Sequence, residues 1–239
     1  MGLLDVPGLG PREVRLCLPP GSGRRAAAPL LLLWDGQNVF DDEPSYAGGW
    51  QVHRLVARRA ARGRVVPIVV GIHHGGADRL RELAPWAPRG RSLSEPLLQW
   101  VADALVPTLR AQFHVGEGPR AVTVGGSSLG GLMSLWGHFR RPDVFGNALV
   151  MSPSLFLGRG AVFRYLASQP RPWATRIYLD AGGREMGGRL VRLAARLETD
   201  LLARGWDGGD LMFRAPRTGE HSELHWRRRM PRAMEFLYG

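Results

Sequence analysis

Lysine is missing altogether: all 32 basic residues of this 239-residue chain are arginines, and against 21 acidic residues they give a formal net charge of +11. Uniform arginine would suit bidentate binding of anions, or it reflects a genome whose base composition favours Arg, Ala, Gly and Pro codons. The second reading fits better, because the arginines are spread along the whole chain. Pairs such as Arg58-Arg59 fall on a helical pattern as a solvated face. The field would still draw in anionic ligands. No arginine stripe, helix-turn-helix, zinc finger or aromatic RNP-type strand is readable, so no nucleic-acid partner is expected.

Cysteine is nearly missing as well. Cys17 is alone, which excludes an intramolecular disulfide, and its alternating neighbours Val14 and Leu16 give it a structural place on a strand. The opening MGLLDVPGLG has no basic region followed by an apolar run, and Val6 stands where myristoylation requires Ser or Thr. The longest apolar run, around Pro29 to Trp34, is too short to cross a bilayer. These absences predict a soluble, cytoplasmic protein with no membrane partner. No repeat, linker or tail appears, and nothing specifies an oligomeric state.

What remains is globular: 44% hydrophobic and 22% charged residues exclude a disordered chain, and the length predicts one domain over residues 1–239. Strands are predicted at Glu13 to Leu18, Pro29 to Trp34, Arg64 to Ile72, Ala121 to Val124, Asn147 to Met151, Thr175 to Leu179 and Leu211 to Arg214. Several are continuously apolar, the pattern of strands covered on both faces. Between them lie helical faces: Val52, Leu55 and Val56; Leu98, Val101, Leu105 and Leu109; Leu190, Leu193, Ala194, Leu197 and Leu201; Trp226, Met230, Met234 and Leu237. The second helix has two candidate starts, a capping box at Ser92 to Glu95 and Ser94-Glu95-Pro96. Alternating strands and helices predict an α/β fold with a mostly parallel sheet.

The sharpest motif ends the strand at Val124. Gly126, Ser128 and Gly130 form Gly-x-Ser-x-Gly, followed by a helical face of Leu132, Leu135, Trp136 and Phe139. A strained strand-to-helix turn exposes the serine, and the glycines let strand and helix pass without a Cβ clash, which is a nucleophile elbow. Ser127 cannot fill the role, since Leu129 would replace the second glycine. An ordinary Gly-rich turn is the bland alternative, and the strand before and helix after argue against it.

A nucleophilic serine needs a base and the base an acid, in the order Ser, Asp or Glu, His. His53 and His138 lie in helical patterns and His114 follows one, whereas His221 sits in a polar loop between the last strand and the last helix, where a base can reach the elbow. The strand ending at Leu179 runs into Asp180 and, five residues later, Glu185. Either carboxylate could be the acid by position. The oxyanion hole should combine the Leu129 amide with one from the loop Asp35-Gly36-Gln37, where Gly36 permits a turn that aims the Gln37 amide at the site. A metal site is disfavoured: His221 and His225 could share a helix face, but Glu223 points elsewhere and adjacent His73-His74 diverge. Trp86 and Trp173 lie beside prolines in loops and could line a pocket or cover core edges.

With these segments in order, the chain resembles the esterase branch of the α/β-hydrolases that holds enterobactin-type siderophore esterases, feruloyl esterases, S-formylglutathione hydrolases and mycolyltransferases. The resemblance rests on Leu33 to Asp41, Val70-Gly71-Ile72, Arg79 to Trp86, Gly125 to Gly131, Arg141 to Phe145, Ser152-Pro153-Ser154, Gly182 to Glu185 and His221 to Trp226. It implies an α/β-hydrolase fold, Ser128 as nucleophile, His221 as base, Glu185 rather than Asp180 as acid, and support for the Gln37 amide. It implies no cofactor. Segment Ser152 to Trp173 is too short for a large lid, so an open site is expected. The expected activity is hydrolysis of a bulky or anionic small-molecule ester, such as a siderophore-type lactone, through an acyl-enzyme. The alternatives are an aryl or sugar acyl esterase, an acyltransferase, or a non-catalytic binding relative. Arg79 and Arg81 could meet an anionic substrate, though an Arg79 to Glu82 pair one turn apart would be a purely structural use.

Overall fold

The computed structural model describes residues 2–20, 27–45, 47–86 and 90–239. Two strands, β1 (Leu3–Val6) and β2 (Gly10–Cys17), precede β3 (Leu30–Trp34), α1 (Val52–Ala61), β4 (Ile68–Ile72) and the short α2 (Arg79–Leu83). Next come α3 (Ser94–Trp100) and α4 (Val106–Gln112), joined by a π-helical turn, then β5 (Val122–Ser127), α5 (Leu129–Arg140), β6 (Asn147–Met151) and α6 (Ala161–Ser168). The chain closes with β7 (Arg176–Asp180), α7 (Arg189–Leu202), β8 (Leu211–Arg214) and α8 (Glu223–Tyr238). The strands form one sheet in the order β1-β2-β4-β3-β5-β6-β7-β8, antiparallel among β1, β2 and β4 and parallel from β4 onward.

Unbroken apolar strands sit at the centre because both faces are covered. In β3, Leu30, Leu32 and Trp34 pack among α3, α4 and α5, while Leu31 and Leu33 meet the core built by α1 and α8. A third cluster joins β6 and β7 to α5, α6 and α7. The expected α/β-hydrolase architecture is therefore present, and the segment between β6 and β7 carries one 3₁₀ turn (Leu157–Arg159) and the eight-residue α6, with no large lid.

Several boundaries differ from expectation for local reasons. β4 starts at Ile68 instead of Arg64: Pro67 has no N–H to give a ladder, and the Arg64 amide bonds back to the Arg59 carbonyl at 3.1 Å. β1 forms from a segment that periodicity alone leaves unassigned, by pairing with the early part of β2. The π turn Val101–Leu105 precedes Pro107, whose ring crowds the carbonyl four residues back. α3 begins at Ser94, with Ser92 Oγ accepting the Ser94 N–H at 3.2 Å. Arg58 is exposed as expected, but Arg59 is buried and paired to Glu235 on α8 at 2.8 Å.

His138 of α5 is fully buried. One ring nitrogen meets the Phe145 carbonyl and the other the Thr175 hydroxyl, both at 2.8 Å. Burial, partly opposed by the bond to the Phe145 carbonyl, pushes the imidazole from 6.5 down to about 4. A depressed histidine contributes stability that is present above its unfolded value and lost as the pH falls toward the folded one. Between pH 7 and pH 5 the protein should therefore lose about 2 kcal/mol of unfolding free energy through this group. Urea titrations at the two pH values, with NMR of the ring, check this; a His138 ring that protonates above pH 6 in the folded state would contradict it.

Candidate active site

The site is built where β5 turns into α5. Ser128 has φ 56° and ψ −115°, outside the regions an L-residue favours, and three backbone bonds hold it there. Its N–H donates to the Met151 carbonyl at 3.0 Å, and its carbonyl accepts from Leu132 at 3.1 Å and Ser154 at 3.0 Å. The turn is as tight as the motif requires. A Cβ on Gly126 would lie 2.9 Å from the Gly130 carbonyl carbon, and one on Gly131 would lie 2.8 Å from the Met151 oxygen.

Two further loops at the carboxyl ends of β7 and β8 supply the partners. They run backbone against backbone, the Arg184 amide bonding the Gly219 carbonyl at 3.0 Å, and a Cβ on Gly182 would overlap Gly219. This approach carries His221 to the elbow: Nε2 lies 3.0 Å from Ser128 Oγ and Nδ1 lies 3.1 Å from Glu185 Oε2. The Trp226 indole stands edge-on to the imidazole with centroids 4.9 Å apart. Of the two carboxylates left open by position, Glu185 meets the histidine. Asp180, fully buried, faces Arg229 Nη1 at 3.2 Å and the Ser152 amide at 3.3 Å.

Glu185 is caged from its other side. Its Oε1 accepts from the Ser152 hydroxyl at 2.7 Å, the Gly182 amide at 2.9 Å and Arg229 Nη2 at 3.2 Å. Burial alone would raise its pKa, but the bonds from His221 and Ser152, the Arg229 charge and the Gly182 amide outweigh it and hold the carboxyl below the ordinary glutamate value. Ser152 itself sits at φ 43° and accepts from Trp226 Nε1 at 2.9 Å. The sequence marks Trp226 only as part of a helical core face and Ser152 only within a longer segment, and it does not mark Arg229, because nothing in a helical face tells which arginine of Arg227-Arg228-Arg229 reaches the two acids.

The loop after β3 faces the elbow. Asp35 takes the left-handed conformation at φ 56°, and Gly36 to Asn38 form one 3₁₀ turn. The Gln37 and Leu129 amides both belong to first helical turns, where no intrahelical acceptor exists. Gln37, Asn38, Arg79, His74, Ser128, His221, Glu223 and Trp226 share a cleft of about 430 Å³.

Two sequence-predicted contacts are corrected. Arg79 lines the cleft, but its fork is engaged by Asp35, with Nε–Oδ1 and Nη2–Oδ2 both 2.7 Å, instead of pairing with Glu82. It thereby pins the left-handed turn that opens the loop. Glu82 instead pairs with Arg12 and accepts the Gly75 amide. Trp86 does not line the cleft: it is half-buried against Tyr165, centroids 5.6 Å apart, because α2 turns it back toward the core. Trp173 borders a separate hollow with Arg120, Asn147 and Arg176, at the amino ends of the strands. Arg81 pairs with Asp78 at 2.8 Å. Among the described residues no group of three or more His, Cys, Asp or Glu could hold a metal ion, and no helix is long and apolar enough to cross a membrane.

A family model described as "Putative esterase" matches residues 10–237. The chain belongs to that esterase family. Its class of activity is ester hydrolysis on a small-molecule substrate. Among individual proteins, this esterase is 23% identical over 253 residues to the uncharacterized protein YbbA of Bacillus subtilis (strain 168), covering 100% of this chain and 97% of that one. It shares its fold with the enterobactin esterase FES of Shigella flexneri, solved in the presence of enterobactin, at TM-score 0.78 and 21% identity. That match covers 98% of this chain and 57% of FES. The siderophore hydrolase EstA of Aspergillus nidulans superposes at TM-score 0.76 and 19% identity, covering 98% and 92% of the two chains.

Proposed function

We propose that residues 1–239 act as one α/β-hydrolase domain, cytoplasmic and cofactor-independent, that cleaves bulky carboxylic esters through an acyl-enzyme. The observation that carries this reading is the unbroken line from Ser128 Oγ to His221 at 3.0 Å and from His221 to Glu185 at 3.1 Å. Ser128 attacks the carbonyl, and His221 takes its proton and returns it to the leaving alcohol. Glu185 orients the imidazole and stabilises its charged form, while the Leu129 and Gln37 amides hold the oxyanion. Water admitted by the open cleft then completes the cycle, which favours hydrolysis over acyl transfer.

The relatives' names point to a siderophore-type lactone as one substrate class, and feruloyl-type aryl esters are the second. The total charge of +11 would steer an anionic ester toward the protein, but that field is screened beyond about 8 Å at physiological salt. Inside the cleft the balance differs: Arg79 is neutralised by Asp35, and the Glu223 carboxylate, which accepts from Asn38 at 3.3 Å and has no other bond among the described residues, adds a negative charge. Among esters of equal size, the neutral one should therefore be turned over faster than the anionic one.

A fluorophosphonate probe tests the mechanism. It should add one label per chain, on Ser128, and abolish hydrolysis of a p-nitrophenyl ester series run beside ferric and iron-free trilactones. Labelling at another residue, or full activity after stoichiometric labelling, would overturn the acyl-enzyme. Transfer of the acyl group to added alcohol in preference to water would favour the transferase.

A further inference from the structure

The second carboxylate behind Glu185 has no place in the triad, yet the fold holds it there at some cost. Asp180 ends β7, is fully buried, and lies in one cluster with Glu185 and the guanidinium of Arg229. Arg229 comes from α8, is nine-tenths buried, and touches both acids at 3.2 Å; its Nε is spent on the His225 carbonyl at 3.2 Å. The groups facing Asp180 are its strand neighbour Tyr178, the Ser152 amide from the loop after β6, Arg229 from α8 and Glu185 from the loop after β7. Arg214 is its register partner on β8. Facing His221 are Ser128, Glu185 and Trp226.

Resting on the triad reading above, we propose that Asp180 and Arg229 are positioning residues for the reaction, which act through Glu185 to set the charge behind His221. With both acids ionised the cluster carries one net negative charge, and with Asp180 protonated it carries none. Only the first state leaves the imidazolium formed during acyl transfer with an uncompensated negative partner. Burial, opposed by Arg229 and reinforced by Glu185, pushes Asp180 up to about 7, so its proton exchanges in the range where a histidine base operates.

Charge counting makes the test specific. Asp180→Asn fixes the cluster at zero and should move the acid limb of the kcat/KM–pH profile down by roughly half a pH unit or more. The double variant Asp180→Asn, Arg229→Gln restores one net negative charge and should move the limb back toward the parent position. Packing damage would lower the rate without producing this reversal. The unmodified protein gives an independent readout: the His221 ring resonance should titrate in two steps, because Asp180 ionises beneath it. A limb unmoved in Asp180→Asn, a double variant that fails to reverse it, or a single-step His221 titration would each overturn the proposal. If fluorophosphonate still labels Ser128, those results leave the triad standing; if labelling fails as well, the triad reading falls first.

Discussion

Ser128→Ala should lower kcat for a p-nitrophenyl ester by about 10⁶-fold, with folding and stability essentially unchanged. On the proposed acyl-enzyme mechanism the loss is large because serine, imidazole and carboxylate act as a unit: without the hydroxyl no acyl-enzyme forms, and the remaining groups contribute only oxyanion stabilisation and binding. His221→Ala should cost about as much, and the double variant hardly more than either single one, since the two residues serve one step. Glu185→Gln should cost less, about 10⁴-fold, because the serine and imidazole remain in reach. Single-turnover and steady-state kinetics on the purified variants check the series. Residual activity of Ser128→Ala above about one part in a hundred, or strictly multiplicative losses, would show that these three do not act together.

Glu82→Ala should destabilise the protein by about 3–5 kcal/mol, the cost of leaving a buried charge without its partner. Glu82 on α2 has no solvent exposure, and its partner Arg12 on β2 is 6% exposed. Truncation leaves the guanidinium buried and uncompensated, and it also strips the Gly75 amide of its acceptor at 2.7 Å. That amide lies between β4 and α2, so the variant should also loosen α2 and, through Arg79, the Asp35 turn. Urea unfolding measures the first effect. The second appears as a fall in kcat/KM larger than the unfolded fraction explains. Glu82→Gln, which keeps an acceptor, should recover part of both. A loss below about 1 kcal/mol would mean that Arg12 finds water or another acceptor, and that the pair does not organise this edge of the site.

Much of the site was legible because its signals are local. The Gly126-x-Ser128-x-Gly130 frame needs only a strand before and a helix after, and both are written in apolar periodicity that a few residues suffice to show. His221 stands out by its polar loop: His53 and His138 sit in helical patterns and His114 just after one, and His138 proves to be a core residue bonded at both nitrogens. The paired faces of β3 were readable for the same reason, since a run apolar at every position has no solvent side. Boundaries slipped where a proline or an exit from a helix overrides periodicity, as at Pro67 and Pro107.

By itself, then, the sequence determined the α/β class, the elbow at Ser128 and a histidine in the right loop, because those depend on residues close together in the chain. Only the tertiary structure decided which of the two carboxylates left open by position meets His221, that Arg79 clamps Asp35 instead of Glu82, that Trp86 turns inward, and that Arg229 is the arginine of its run that reaches both acids. Each of those choices is made by where two distant loops or helices come to lie, to within an ångström or so. Hydrogen bonds and ion pairs depend steeply on that distance, whereas the hydrophobic pattern along a chain does not record it.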